Sequence, residues 1–157
     1  MNEPGTSASP TLGIPGAPAA PPGEPAQARV LVDPYRDWAE GEGIPIHLDF
    51  GHNLLDLETG PWDRYEARGC FAHTHGAGDF MANYVLEVPP GAKTRPVRHL
   101  YEVFCYVLAG HGSTKVWLPG GEVRTFEWGP KAMFAIPLNC RYQIFNATAA
   151  QPVRISC

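Results

Sequence analysis

From residue 44 to the end, the chain sets apolar against polar positions in short runs, cut at nearly even spacing by glycine and proline. The runs are DRYEARGCFAHT, MANYVLEV, RHLYEVFCYVL, STKVWL, EVRTFEW, MFAIPL, RYQIFNA and PVRISC, with PPG, AGHG, PGG, GPK and LNC among the breaks. Short runs rich in Val, Tyr, Phe and Ile with period-two alternation are the pattern of strands that bury one face. YVLAGHGSTKVW reads as a hairpin with Gly110 and Gly112 supplying the turn dihedrals, and KVWLPGGEVRTF reads as a second hairpin. No repeat exceeds this strand-and-turn rhythm, so the pattern predicts an all-β sandwich or barrel.

A single helical segment precedes the strands. In DPYRDWAEGEG, Asp33 suits an N-cap, Pro34 a first helical residue, and Gly41 or Gly43 a stop, which predicts a helix over about 34–40. An extended segment, IPIHLDF at 44–50, follows. Residues 1–28 are largely Pro, Ala and Gly and cannot bury enough apolar surface to offset the entropy of ordering them. They are expected to form a disordered or polyproline-like tail without a site, leaving 29–157 as the folded domain.

Composition narrows the function classes. A chain of 157 residues fits one domain plus a tail, and 44% hydrophobic residues suffice for a core. The net charge of −4 argues against nucleic acid as the main partner, which wants a basic face. No stretch offers a polybasic patch or the ~18 apolar residues of a membrane helix. The N-terminus has neither the cationic start nor the apolar core of a secretory signal. Cys70, Cys105, Cys140 and Cys157 form no CxxC pair and read as reduced thiols of a cytoplasmic protein, Cys70 and Cys105 being small apolar strand residues.

Several histidines and aromatics invite assignment. His73 and His75 in FAHTHG share one strand face, with Asp79 near in sequence, but two donors do not make a metal site. A hydrogen-bonded or exposed pair is the preferred reading. His111, in the AGHG turn, should be exposed, while His47 and His52 flank the 44–50 segment without an evident role. Trp117 and Trp128 should be core or wall residues on strands meeting across the LPGG turn.

The stretch 91–146 resembles the cupin domain, a double-stranded β-barrel of jelly-roll type. The first cupin motif reads G-x5-H-x-H-x3-E-x6-G. Gly91, His99 and Gly110 fit it, while Val97 and Val103 replace the first histidine and the glutamate. The second reads G-x5-P-x-G-x2-H-x3-N. Pro137 and Asn146 fit, while Lys131, Asn139 and Tyr142 replace the two glycines and the histidine. The resemblance implies a cupin-type barrel with its core over about 81–157 and an eroded metal site.

On a strand, 97, 99 and 103 share the inward face. A transition metal wants three or four N or O donors at ~2 Å, and two valines with one imidazole do not supply them. Glu102 is the substitute carboxylate, but its parity points outward unless a bulge intervenes. The resemblance therefore implies a divalent transition metal, such as Fe, Mn, Ni or Zn, held weakly or not at all. Its ligands would be His99 and Glu102, in a cavity lined by Val97, Tyr101, Val103 and Tyr142.

Three functional readings remain open. One is a small-molecule-handling protein related to metal-dependent cupin dioxygenases. Another is a non-catalytic barrel that binds a small ligand or serves for dimerisation. The third is metal-free acid–base catalysis by His99 and Tyr142, similar to cupin-like sugar epimerases, although no in-phase carboxylate orients His99. A purely structural His99 is the plainer alternative. Because the chain stops soon after Asn146, either a short barrel or an exposed sheet edge is expected. Such an edge would be covered by residues 44–76, paired with a second copy in a homodimer through strand edges, or left by truncation of a longer chain.

Overall fold

The computed structural model describes residues 34–76 and 82–157. The tail assigned to 1–28, and Asp79, lie outside the described residues. Helix α1 spans Pro34–Gly41, one residue longer than its punctuation suggested, and Gly43 follows with φ 69°. The strands come next: β1 Ile46–Asp49, β2 Gly60–Trp62, β3 Ala67–Thr74, β4 Asn83–Val88, β5 Val97–Arg98 and β6 Val103–Ala109. They continue with β7 Gly112–Trp117, β8 Val123–Trp128, β9 Met133–Ile136, β10 Arg141–Asn146 and β11 Val153–Ser156.

Two sheets face each other. The larger runs β1-β3-β4-β11-β6-β9, with β2 paired to β3, and the smaller runs β5-β10-β7-β8. All pairings are antiparallel except β1 with β3. The core lies between the sheets: Phe71, Tyr84, Leu86, Val107 and Ile155 from the larger meet Val116, Trp128, Tyr142 and Ile144 from the smaller. Alternation decides which residues these are. Along β6, Val103, Cys105 and Val107 are buried while Phe104 and Tyr106 are exposed.

Two expectations are corrected. The β7–β8 hairpin forms as read, but YVLAGHGSTKVW is not a hairpin. Strand β6 pairs with β9 and β11, whereas β7 pairs with β8 and β10. Gly110, at φ 88°, turns the chain across from one sheet to the other. Local glycine chemistry permits a tight turn, but the pairing partners are chosen by the jelly-roll topology. Nor is the last strand an edge: β11 lies between β4 and β6, and the sheet ends at β1 and β9.

The second motif's two missing glycines left their backbone behind. Lys131 has φ 67° and Asn139 φ 63°, the left-handed conformation that glycine adopts without steric cost. Gly91 and Gly110 are left-handed too. All four motif-glycine positions therefore keep one turn geometry although two have changed residue. Asn146, the motif's last residue, is 5% exposed and ties three segments together. Its Nδ2 donates to the carbonyls of Val88, Pro89 and Gln151, each at 3.0 Å, and its Oδ1 accepts from the Thr148 amide at 2.8 Å.

Candidate functional site

The inward face predicted for 97, 99 and 103 is buried: Val97 is 8% exposed, His99 8% and Val103 4%. Their neighbours Arg98, Leu100, Tyr101 and Glu102 are exposed. Val97 pairs with Tyr142 across β5 and β10, which brings the Tyr142 ring to 5.6 Å from that of His99. The αL turn at Asn139 braces this end, with its amide donating to the His99 carbonyl at 2.9 Å. Its side-chain Oδ1 accepts from Arg98 Nε at 2.8 Å.

Two residues absent from the sequence-derived set complete the site. The Tyr65 hydroxyl lies 3.0 Å from that of Tyr142, 2.9 Å from that of Tyr84 and 3.3 Å from His99 Nε2. Three tyrosines and one histidine thus form one buried polar cluster. Tyr84 carries the inward parity of Leu86 and Val88 in MANYVLEV, a signal that alternation could have supplied. Tyr65 falls in the run DRYEARGCFAHT, which reads as a strand, but β3 begins only at Ala67; Tyr65 sits in the turn between β2 and β3, where the strand period does not apply. It is held there by tertiary partners. Glu42, just past α1, accepts from Trp62 Nε1 at 2.7 Å and from Arg64 Nε at 2.9 Å, and the Arg95 amide donates to the Tyr65 carbonyl at 2.8 Å. The Trp62 ring, 4.6 Å from that of Tyr65, lies over Gly69, where a Cβ would meet it at 2.4 Å.

Burial sets the charge state of the cluster. It pushes the phenols of Tyr65, Tyr84 and Tyr142 well above their ordinary range. It also lowers His99 to about 4, with the Arg64 charge adding to the effect. At neutral pH the cluster is a neutral imidazole among neutral phenols. His99 Nδ1 is buried without a hydrogen-bond partner.

The metal implied by the motif finds no matching donor set. Two ligand positions are valines. The third is a neutral phenol engaged with Tyr65, and the only imidazole already faces Tyr65 through Nε2. Glu102 is exposed rather than turned into the barrel, and among the described residues no group of three or more His, Cys, Asp or Glu side chains converges. The His73–His75 pair does not assemble a site either: His73 Nε2 is 2.9 Å from the Tyr35 hydroxyl, and the His75 ring lies 4.8 Å from that of Phe50. His52 and His47 meet the carbonyls of His73 and Glu58 at 2.7 and 2.9 Å, and His111 is exposed.

A cavity of about 970 Å³ opens beside the cluster. Trp38, Phe71, Val103, Phe104 and Met133 make much of its wall apolar, and Tyr84, Tyr101 and Glu102 add polar groups. Of the predicted lining residues, Tyr101 and Val103 border this cavity, Val97 borders a smaller one of about 430 Å³, and Tyr142 lies behind Tyr65 in the core. Trp128 is buried as expected, donating to Thr114 Oγ1 at 2.8 Å, and Trp117 lines the outside under Lys115 and Arg141. Among the described residues no helix is long and apolar enough to cross a membrane.

No family model matches the sequence, and no curated protein does. Solved structures match the fold. The Schizosaccharomyces pombe Cnp3 cupin domain is 19% identical at a TM-score of 0.53, covering 68% of this chain and 69% of that one. Drosophila melanogaster CENP-C bound to CAL1 is 18% identical at 0.55, covering 65% and 75%. Lactobacillus farciminis oxalate decarboxylase, in a formate complex, is 18% identical at 0.53 over 66% of this chain, which spans 30% of that enzyme's length.

Proposed function

We propose that this chain, which has the cupin superfamily fold, is a metal-independent binding domain for a small, uncharged, largely apolar molecule. One observation carries the reading: an open cleft of about 970 Å³ with mostly apolar walls meets the neutral Tyr–His cluster at Tyr84. Volume and lining match those of small-molecule pockets, which pair apolar walls with a few directional polar groups. A charged ligand would meet no buried opposite charge in the cluster.

The same cluster argues against proton-transfer chemistry at neutral pH. A general base and acid work best with pKa values near the working pH, whereas burial moves His99 down and the tyrosines up. The test is titration of the full chain with a panel of uncharged phenols and aromatic alcohols, read by tryptophan fluorescence and thermal shift. Saturable binding that weakens in Trp38→Ala and Tyr101→Ala and persists in EDTA supports the reading. No saturable binding by the folded protein, or binding only after Mn²⁺ or Fe²⁺ is added, overturns it.

A second reading is self-association through the β9 edge. Phe104, Tyr106, Met133 and Ala135 share the outer face of β6 and β9, Phe104 being 67% and Met133 73% exposed. Light scattering on a sizing column decides it: a dimer converted to monomer by Phe104→Glu supports this role, and a monomeric parent chain removes it.

A further inference from the structure

The cavity wall holds a thiol pair that the small-ligand reading does not use. Cys105 lies on β6, and Cys157 directly follows β11. Their sulfurs are 3.4 Å apart, and both residues border the 970 Å³ cavity. The register explains the encounter. Val107 faces Ile155 and Tyr106 faces Ser156, so the next antiparallel step sets Cys105 opposite Cys157.

The hydrogen-bonding phase matters as much as the register. Cys157 exchanges both backbone bonds with Tyr84, amide to carbonyl, at 2.9 Å each way. Its amide and carbonyl therefore point to β4, and toward β6 the Cys105–Cys157 step is a non-hydrogen-bonded pair. Such pairs bring Cα atoms to about 4.5 Å, within the span that a disulfide bridges. Both side chains face the core: Cys105 belongs to the buried cluster, and Cys157 packs against it half-buried. Cys70 and Cys140 are also buried, but neither borders the cavity.

We infer that Cys105 and Cys157 form a reversible redox site that hydroperoxides reaching the cavity convert to an intramolecular disulfide. Cys157, the more exposed sulfur, attacks as thiolate. An S–O bond forms, the peroxide O–O bond breaks, and the departing hydroxide leaves as water after taking a proton. Cys105 then attacks the Cys157 sulfur as its own proton is lost. The S–S bond forms, the S–O bond breaks, and a second water leaves. Two thiols are oxidised by two electrons while one hydrogen peroxide is reduced to two waters, and a dithiol reductant reverses the change. The inference is independent of whether the cavity holds a ligand.

The test treats the folded chain with stoichiometric hydrogen peroxide, alkylates remaining thiols with iodoacetamide, and maps the cysteines by mass spectrometry. The expected product is one Cys105–Cys157 cross-linked peptide, lost on dithiothreitol treatment, with Cys70 and Cys140 alkylated only after unfolding. In Cys105→Ser, Cys157 should stop at sulfenic acid, trapped by dimedone. If that variant fails to fold, the comparison is parent chain with and without urea, and native cross-linking should be at least tenfold faster. Cross-linking no faster in the native state, sulfenic acid persisting on Cys157 beside an intact Cys105, or a different cysteine pair would each overturn the assignment.

Discussion

Replacing His99 by glutamine should remove a pH dependence of stability that the parent chain shows in mild acid. In the folded state the imidazole is 8% exposed and lowered from 6.5 to about 4 by burial, with Arg64 adding to the shift. Unfolding restores the ordinary value. Between those two pH values the unfolded chain binds a proton that the folded chain refuses, so stability must fall as pH falls through that window. Above it neither state is charged, and the contribution is fully present. Below it both states are protonated, and the loss levels off.

The shift of 2.5 units corresponds at most to about 3.4 kcal/mol at ~1.36 kcal/mol per unit. Solvent at the rim, where Tyr101 is half exposed, screens part of this, so a loss of about 2 kcal/mol is expected between pH 7 and 4. The assay is urea unfolding at intervals across that range for parent and His99→Gln. Surface histidines and carboxylates titrate in both proteins and cancel in the difference. The parent should lose about 2 kcal/mol more than the variant, most steeply between pH 6.5 and 4. Parallel curves would refute the reasoning, because they would mean that His99 is protonated as readily inside the barrel as outside it.

Other consequences can be measured alongside. Asn146→Ala strands three carbonyls that now share one amide, and should cost about 2–4 kcal/mol in urea unfolding. Gly112→Ala places a Cβ 2.2 Å from the Phe145 carbonyl oxygen and 2.5 Å from the Trp128 ring, so its melting temperature should collapse. Gly51→Ala, which meets nothing within 4 Å, should melt like the parent. Lys131→Gly should be neutral or stabilising by up to about 1 kcal/mol, while Lys131→Val should destabilise by about 1–2 kcal/mol. Tyr142→Phe deletes one hydroxyl from the cluster and should cost about 1 kcal/mol, leaving the barrel's circular dichroism unchanged.

Much of this was legible in the chain itself, for identifiable reasons. Period-two alternation marked the strands. It did not decide the burial of 97, 99 and 103, because β5 ends at Arg98, β6 begins at Val103 in the other sheet, and Tyr101, of the same parity, is 51% exposed. The LPGG turn announced the β7–β8 hairpin because both strands belong to one sheet. AGHG carried the same kind of glycine signal and misled, because β6 and β7 belong to different sheets. The cluster was half visible: His99 and Tyr142 stood at motif positions, whereas Tyr65 enters from a turn held by Glu42, Trp62 and Arg64.

The order of apolar and polar residues determined the all-β character, the inward row along β6, and the valines that stand at two ligand positions of the motif. Those are properties of single residues and their immediate neighbours. The tertiary structure alone decided that β11 lies inside a sheet, that Tyr65 meets Tyr84, Tyr142 and His99, and that Cys105 meets Cys157. These meetings join positions 19 to 77 residues apart, and strand order across two sheets, which no local period encodes, brings them together.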